Sequence, residues 1–126
     1  MRSNREYQIC KDIAVYLRLQ YPDVIFHFDL AGLNLSKAQA GMMKSIQGGR
    51  GWPDLFIAEV RDNYHGLFIE IKPERTRLLK RNGCPSSDHI GEQMDCLNKL
   101  NELGYQSMFG IGFDDAKIII DDYLKQ

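Results

Sequence analysis

The stretch that decides the fold is GGRGWPDLFIAEV, residues 48–60, followed after a polar connection by GLFIEIKPE, residues 66–74. Both runs carry the β-branched and aromatic residues of strands, yet the first sets an acid directly behind a proline and the second holds a glutamate and a lysine in its interior. Charge in a strand that is otherwise fit for burial is unfavourable unless something compensates it. The connection RDNYHG, residues 61–66, has the polar residues and glycine of a hairpin. Alternate residues of a strand share a face, so Glu70 and Lys72 project together while Ile69 and Ile71 project the other way. A hairpin returns Asp54 beside the end of the second strand. Its register is open in the sequence: pairs whose numbers sum to an even value, 54 with 72 among them, or a bulge, put Asp54 on the face of Glu70.

If Asp54 and Glu70 converge, keeping both ionised at neutral pH requires a cation between them. Mg²⁺ suits such a site, because it takes carboxylate, carbonyl and water oxygens and completes its shell with substrate phosphate. The expected chemistry is then phosphodiester hydrolysis, with Asp54 and Glu70 as metal ligands, the main-chain oxygen of Ile71 as a further one, and Lys72 orienting the attacking water or stabilising the charged phosphorus. The plainer arrangement has Asp54 opening a strand and Glu70 and Lys72 forming a cross-strand ion pair. Glycines before Pro53 and the two successive strands shift the weight to a site.

Outward from this hairpin, REYQICKDIAVYLRLQ, residues 5–20, places apolar residues at helical spacing and predicts an amphipathic first helix broken by Pro22. VIFHFDL, residues 24–30, predicts a strand, and Ser36 is expected to cap a short helix running through Ile46. Strands are expected over 54–60, 67–72 and 105–112. The charged segment after Pro73 lacks an apolar period and reads as a loop. Asp88 is expected to cap a helix lined by Ile90, Met94, Leu97, Leu100 and Leu103 and ended by Gly104. Asp114 opens a last helix. The fold class is α/β: a mixed sheet in an α-β-β-β-α-β order flanked by helices, with a short helical insertion after the first strand and a C-terminal helix, all in one domain over residues 1–126.

Composition sets the limits. Of 126 residues, 44% are hydrophobic and 26% charged, ordinary values for a globular domain. No run reaches the roughly 18 apolar residues of a spanning helix, and MRSNREYQIC lacks the apolar core of a secretory signal, so a soluble, cytoplasmic protein with no membrane partner is expected. Cys10, Cys84 and Cys96 fit reduced thiols, since their spacing suits neither a disulfide framework nor a zinc site of Cys84, His89 and Cys96. The formal net charge of −1 leaves any nucleic-acid contact to a local patch.

Pro53-Asp54 with Glu70-Ile71-Lys72 resembles the PD-(D/E)xK nuclease superfamily, and the text around it resembles the virus-type replication-repair nuclease (VRR-NUC) branch. The likeness runs over roughly residues 48 to 124: glycines 48 to 51 leading into Pro53-Asp54-Leu55, then Glu70-Ile71-Lys72-Pro73, Ser87, Gln93, Gly104, and Asp115-Ala116 through Tyr123-Leu124. Trp52 departs from it, since small or aliphatic residues are more usual before the proline. The resemblance implies a restriction-endonuclease-like core and a DNA endonuclease using Mg²⁺, for which Mn²⁺ substitutes, with no small-molecule cofactor. It implies metal ligands at Asp54 and Glu70, catalysis by Lys72, an active-site Gln93, and Glu6 on the first helix as a further ligand. Standalone members resemble homodimeric nucleases of branched DNA such as four-way (Holliday) junctions, whose two-fold symmetry a two-fold dimer matches. That implies a role in DNA repair, in a bacterial or phage-infected cell or at a nucleoid.

Phosphate contacts are expected from Arg50, Arg75, Arg77, Lys80 and Arg81, with Lys37 and Lys44 extending the patch. The segment 31–47, with Met42, Met43 and Ile46, is the expected dimer surface. The alternatives are a PD-(D/E)xK nuclease acting on flaps, ends or specific duplex sequences, and a catalytically silent DNA-binding module.

Overall fold

The computed structural model describes residues 4–29 and 34–126. Eight elements follow one another: α1 (Asn4–Gln20), β1 (Phe26–Phe28), α2 (Lys37–Ser45), β2 (Leu55–Ile57), β3 (Leu67–Lys72), α3 (Asp88–Glu102), β4 (Gln106–Ile111) and α4 (Phe113–Leu124). The strands form one sheet in the order β1-β2-β3-β4. The first two pairings are antiparallel and β3 runs parallel to β4, so α3 is the crossover between them. This is the mixed α/β architecture expected from the sequence, with the short helix inserted after the first strand and a helix at the end.

β3 explains the layering, since all six of its positions are buried. Leu67, Ile69 and Ile71 join Leu55 and Ile57 of β2 against Ile9, Ile13 and Leu17 of α1 and Ala116, Ile120 and Tyr123 of α4. That face is the hydrophobic core. On the other face Phe68 stacks on its cross-strand partner Phe56, with ring centroids 4.5 Å apart, and meets Tyr105 at 5.2 Å. The charged pair of β3 is on this second face, as its alternation requires.

Several boundaries differ from expectation for local reasons. β2 stops at Ile57 instead of residue 60, because the hairpin is closed by a separate bridge between Arg61 and Tyr64, with Asp62 at a positive φ of 52°. β1 is likewise shorter than 24–30, and Leu30 lies outside the described residues. α3 is capped by Ser87, whose Oγ accepts from the Ile90 N–H at 3.1 Å, while Asp88 sits in the first turn, where its charge favours the helix N-terminus. Its inward stripe holds Gln93, with Met94 only partly buried, and Leu103 is 67% exposed because the helix ends before it, at Glu102. Gly104 then takes φ +100°. α4 begins at Phe113, not Asp114, and Asp115 Oδ2 accepts from the Ile111 N–H at 2.8 Å. Ser36 caps α2 in a reciprocal pair with Gln39, but the helix buries none of its residues, and Met42 and Ile46 are exposed. Residues 31–33 of the expected dimer segment lie outside the described residues. Among the described residues no helix is long and apolar enough to cross a membrane.

Candidate active site

Register builds the site. Leu55 pairs with Ile69, so one step further Asp54 stands opposite Glu70 rather than Lys72, an even sum that sets the two acids on one face. Phe28 pairs with Leu55, and the Asp29 N–H donates to the Asp54 carbonyl at 2.8 Å, which sets Asp29 beside Asp54 in turn. Three acids from three neighbouring strands therefore stand in a row on one face of the sheet. Two residues beyond Glu70 on the same face is Lys72, with Nζ 4.0 Å from Glu70 Oε2.

A cavity of about 540 Å³ opens over this row. Glu6 of α1, Asp29, Asp54, Glu70, Lys72 and Gln93 of α3 all line it. Glu70 and Lys72 are 4% and 8% exposed, so both are held out of bulk water at its floor. Burial raises the Glu70 carboxyl far above the usual carboxylate range, its hydrogen bond with Asp54 and the charges of Asp54 and Glu6 push the same way, and Lys72 opposes them. Asp54 is fixed from the side: its Oδ2 accepts from the Ile71 N–H at 2.8 Å, so Ile71 meets this carboxylate through its amide. Gln93 Nε2 donates to His89 Nε2 at 3.1 Å, whereas Gln93 Oε1 is buried with no protein partner.

The glycine approach has a mechanical reason. Gly51 sits at φ +79°, and a Cβ there would come within 2.5 Å of the Glu92 carbonyl oxygen on α3. Only glycine lets the loop press against the helix backbone at Glu92 and Gln93, which closes the cavity between sheet and helix. Pro53 is fully buried next to it. Arg50 lines the cavity and faces Glu92 at 3.5 Å.

The other expected basic residues are elsewhere. Arg75, Arg77, Lys80 and Arg81 are exposed on the loop after β3 and do not line the cavity. Glu74, the acid of that loop, is engaged by Arg5, whose hydrogen bonds hold its carboxyl down to about 2. Cys10, Cys84 and Cys96 take part in no disulfide, and among the described residues no three His, Cys, Asp or Glu side chains gather into a metal cage. Sequence reasoning did not single out Asp29 or Glu92, and it gave neither His89 nor Trp52 a place in this site, though all four line the cavity. The signal for Asp29 was present, since it ends an aromatic strand next to β2, but only the register of β1 on β2 turns that into a position.

No protein-family profile matches the chain, and no curated protein does. Among solved structures, one described as "VRR_NUC domain protein" superposes with a TM-score of 0.69 over 99% of this chain and 92% of that one, at 22% identity. The fold is the VRR-NUC fold. At that identity the likeness is one of shape, and it bears out the restriction-endonuclease-like architecture expected from the motifs. In the VRR-NUC fold as built here, the Pro-Asp and Glu-x-Lys segments are neighbouring strands whose acids face each other under the crossover helix.

Proposed function

We propose that this chain is a VRR-NUC nuclease, a divalent-metal-dependent DNA endonuclease that hydrolyses phosphodiesters in branched DNA such as four-way junctions, acting as a homodimer. The observation that carries the reading is the placement of Asp54 opposite Glu70, with Lys72 on the same face and Gln93 across the cavity.

The donors fit a hard divalent ion. Two opposed carboxylates, the Glu70 one with its ionisation opposed by burial, and a buried carboxamide oxygen with no protein partner make an arrangement that a cation relieves. Mg²⁺ keeps several waters and takes substrate phosphate, so these two carboxylates would be enough to hold it. Asp54 and Glu70 would hold the ion, with the Ile71 carbonyl and Glu6 as further donors. When bound, the ion supplies charge neutralisation at the phosphodiester and a more acidic water. Lys72, fixed beside Glu70, holds the attacking water in line and donates to the developing negative charge on phosphate oxygen. Gln93 orients water or phosphate through its carboxamide. The exposed loop bearing Arg75, Arg77, Lys80 and Arg81 steers the backbone towards the site without reading sequence. Met42, exposed on a helix that buries nothing, and Ile46, exposed at its C-cap, provide the apolar surface for a second copy.

The test uses labelled four-way junction, flap, splayed and linear duplex DNA with Mg²⁺, Mn²⁺ or EDTA, beside Lys72→Ala. Paired nicks near the branch point, abolished by EDTA and reduced at least 100-fold by Lys72→Ala, are expected. Cleavage of linear duplex at one sequence replaces the branched-substrate reading, and binding without cutting under every metal overturns the enzymatic one.

A further inference from the structure

Trp52 is the only tryptophan in the chain, and it is 48% exposed although its neighbour Pro53 is fully buried. The core does not account for it. Its ring contact is with Phe68, edge to face at 5.1 Å and 78°, which leaves nearly half of the residue in solvent. Its backbone is nonetheless fixed, because Gly51 is pressed against α3 on one side and Pro53 is locked on the other. A large, exposed aromatic ring on an anchored backbone, braced on one edge by Phe68 at the lip of a site, is placed to receive another flat ring.

Position narrows the ligand. Trp52 lines the cavity over Asp54 and Glu70, and also an adjoining cavity of about 680 Å³ bordered by Gln47, Arg50, Glu92, Asp95 and Lys99. It is part of the boundary between the two. Its Cα is at most about 7 Å from that of Asp54, and Phe68, which its ring meets, shares the sheet face of Glu70, so the ring is within reach of the nucleotide next to a phosphate held there. The second cavity is not built for phosphate, since Arg50 and Lys99 are matched by Glu92 and Asp95, and Arg50 is already turned to Glu92 at 3.5 Å. Carboxylates accept from the exocyclic amino groups of bases, and the Gln47 amide can donate or accept. An aromatic wall beside donors and acceptors of both kinds suits a nucleobase.

We infer that Trp52 is a stacking platform for an unpaired base adjacent to the phosphate under attack, with the Glu92–Asp95 cavity receiving that base's edge. The inference rests on the nuclease reading and deepens it. Bases inside a continuous duplex are covered on both faces, so only a strand with an unpaired, unstacked base at the site, as at a flap, a splayed arm or a branch point whose pairs have opened, fills this cavity. Selectivity for DNA structure then resides partly in Trp52.

The lone tryptophan makes its fluorescence a report from one residue. In EDTA, the protein is titrated with splayed duplex, with the same duplex carrying abasic sites in place of its unpaired bases, and with blunt duplex, while anisotropy of labelled DNA follows binding. Quenching by splayed DNA alone is expected, with about ten-fold weaker splayed-DNA binding for Trp52→Ala, unchanged blunt-duplex binding, and most of the affinity kept by Trp52→Phe. DNA binding with unaltered tryptophan emission, or equal quenching by abasic DNA, overturns the stacking inference and leaves the nuclease reading standing. Absence of binding to every DNA, both in EDTA and for Lys72→Ala in Mg²⁺, overturns both.

Discussion

Glu70 is the residue on which the proposed chemistry turns, because its environment penalises the charge that a metal ligand needs. Buried opposite Asp54, its carboxyl keeps a proton in the metal-free fold that the unfolded chain releases above the ordinary carboxylate range. A folded-state value raised above the unfolded one means that the folded state binds more protons between the two. Stability from this acid is therefore fully present below the unfolded value and declines as pH rises towards the raised folded one. In EDTA, thermal melts are expected to fall in midpoint from pH 5 to pH 8. Glu70→Gln, which keeps the shape and removes the charge, should flatten that slope and be more stable than the parent at pH 8 by about 1 kcal/mol or more. Adding Mg²⁺ to the parent should raise its midpoint at pH 8, since an ion bound only by the folded state stabilises it. Identical melts for parent and variant at every pH would show that Glu70 does not carry this cost.

Among the elements, the contact between the glycine loop and α3 sets the width of the cavity. Gly51→Ala drives a Cβ into the Glu92 carbonyl and forces a left-handed backbone on alanine, so a loss of about 1–3 kcal/mol is expected by denaturant melt. Gly49→Ala has open space around it and should stay within about 0.5 kcal/mol of the parent; equal losses in both would remove the close-packing explanation. The same helix marks where the sequence was legible and where it was not. β3 was readable to its ends, because its apolar run lies between a glycine and a proline, and its alternation placed Glu70 and Lys72 correctly on one face. The stripe on α3 was ambiguous, since positions 93 and 94 both fit a 3.6-residue period after Ile90, and the cavity on the sheet side turns Gln93 inward. A buried glutamine has no compositional signal, and only the family resemblance singled it out. Ser87 and Asp88 are both cap-forming residues, and hydrogen-bond geometry alone separates them. Asp29 required two registers in succession, each undetermined until the strands pair.

At the scale of the whole molecule, a formal charge of −1 means that no general field draws DNA to the surface. On the proposed reading attraction is local, and the loop after β3 is the candidate for it: Arg75, Arg77, Lys80 and Arg81 are exposed, while Glu74 is already engaged by Arg5. Binding should therefore depend on salt to the extent that these residues release counterions, each neutralised phosphate contributing about −0.9 to the slope of log affinity against log salt. Arg77→Ala is expected to lower affinity for every DNA tested to a similar degree and to make that slope shallower by about 1. Arg18 is the comparison, exposed in the last turn of α1 and twelve residues along the helix from Glu6, a distance of about 18 Å. Arg18→Ala should leave the slope unaltered. A slope that shifts equally in both variants would mean that the charge is felt evenly over the molecule, and the loop would lose its assignment as the place where DNA is held.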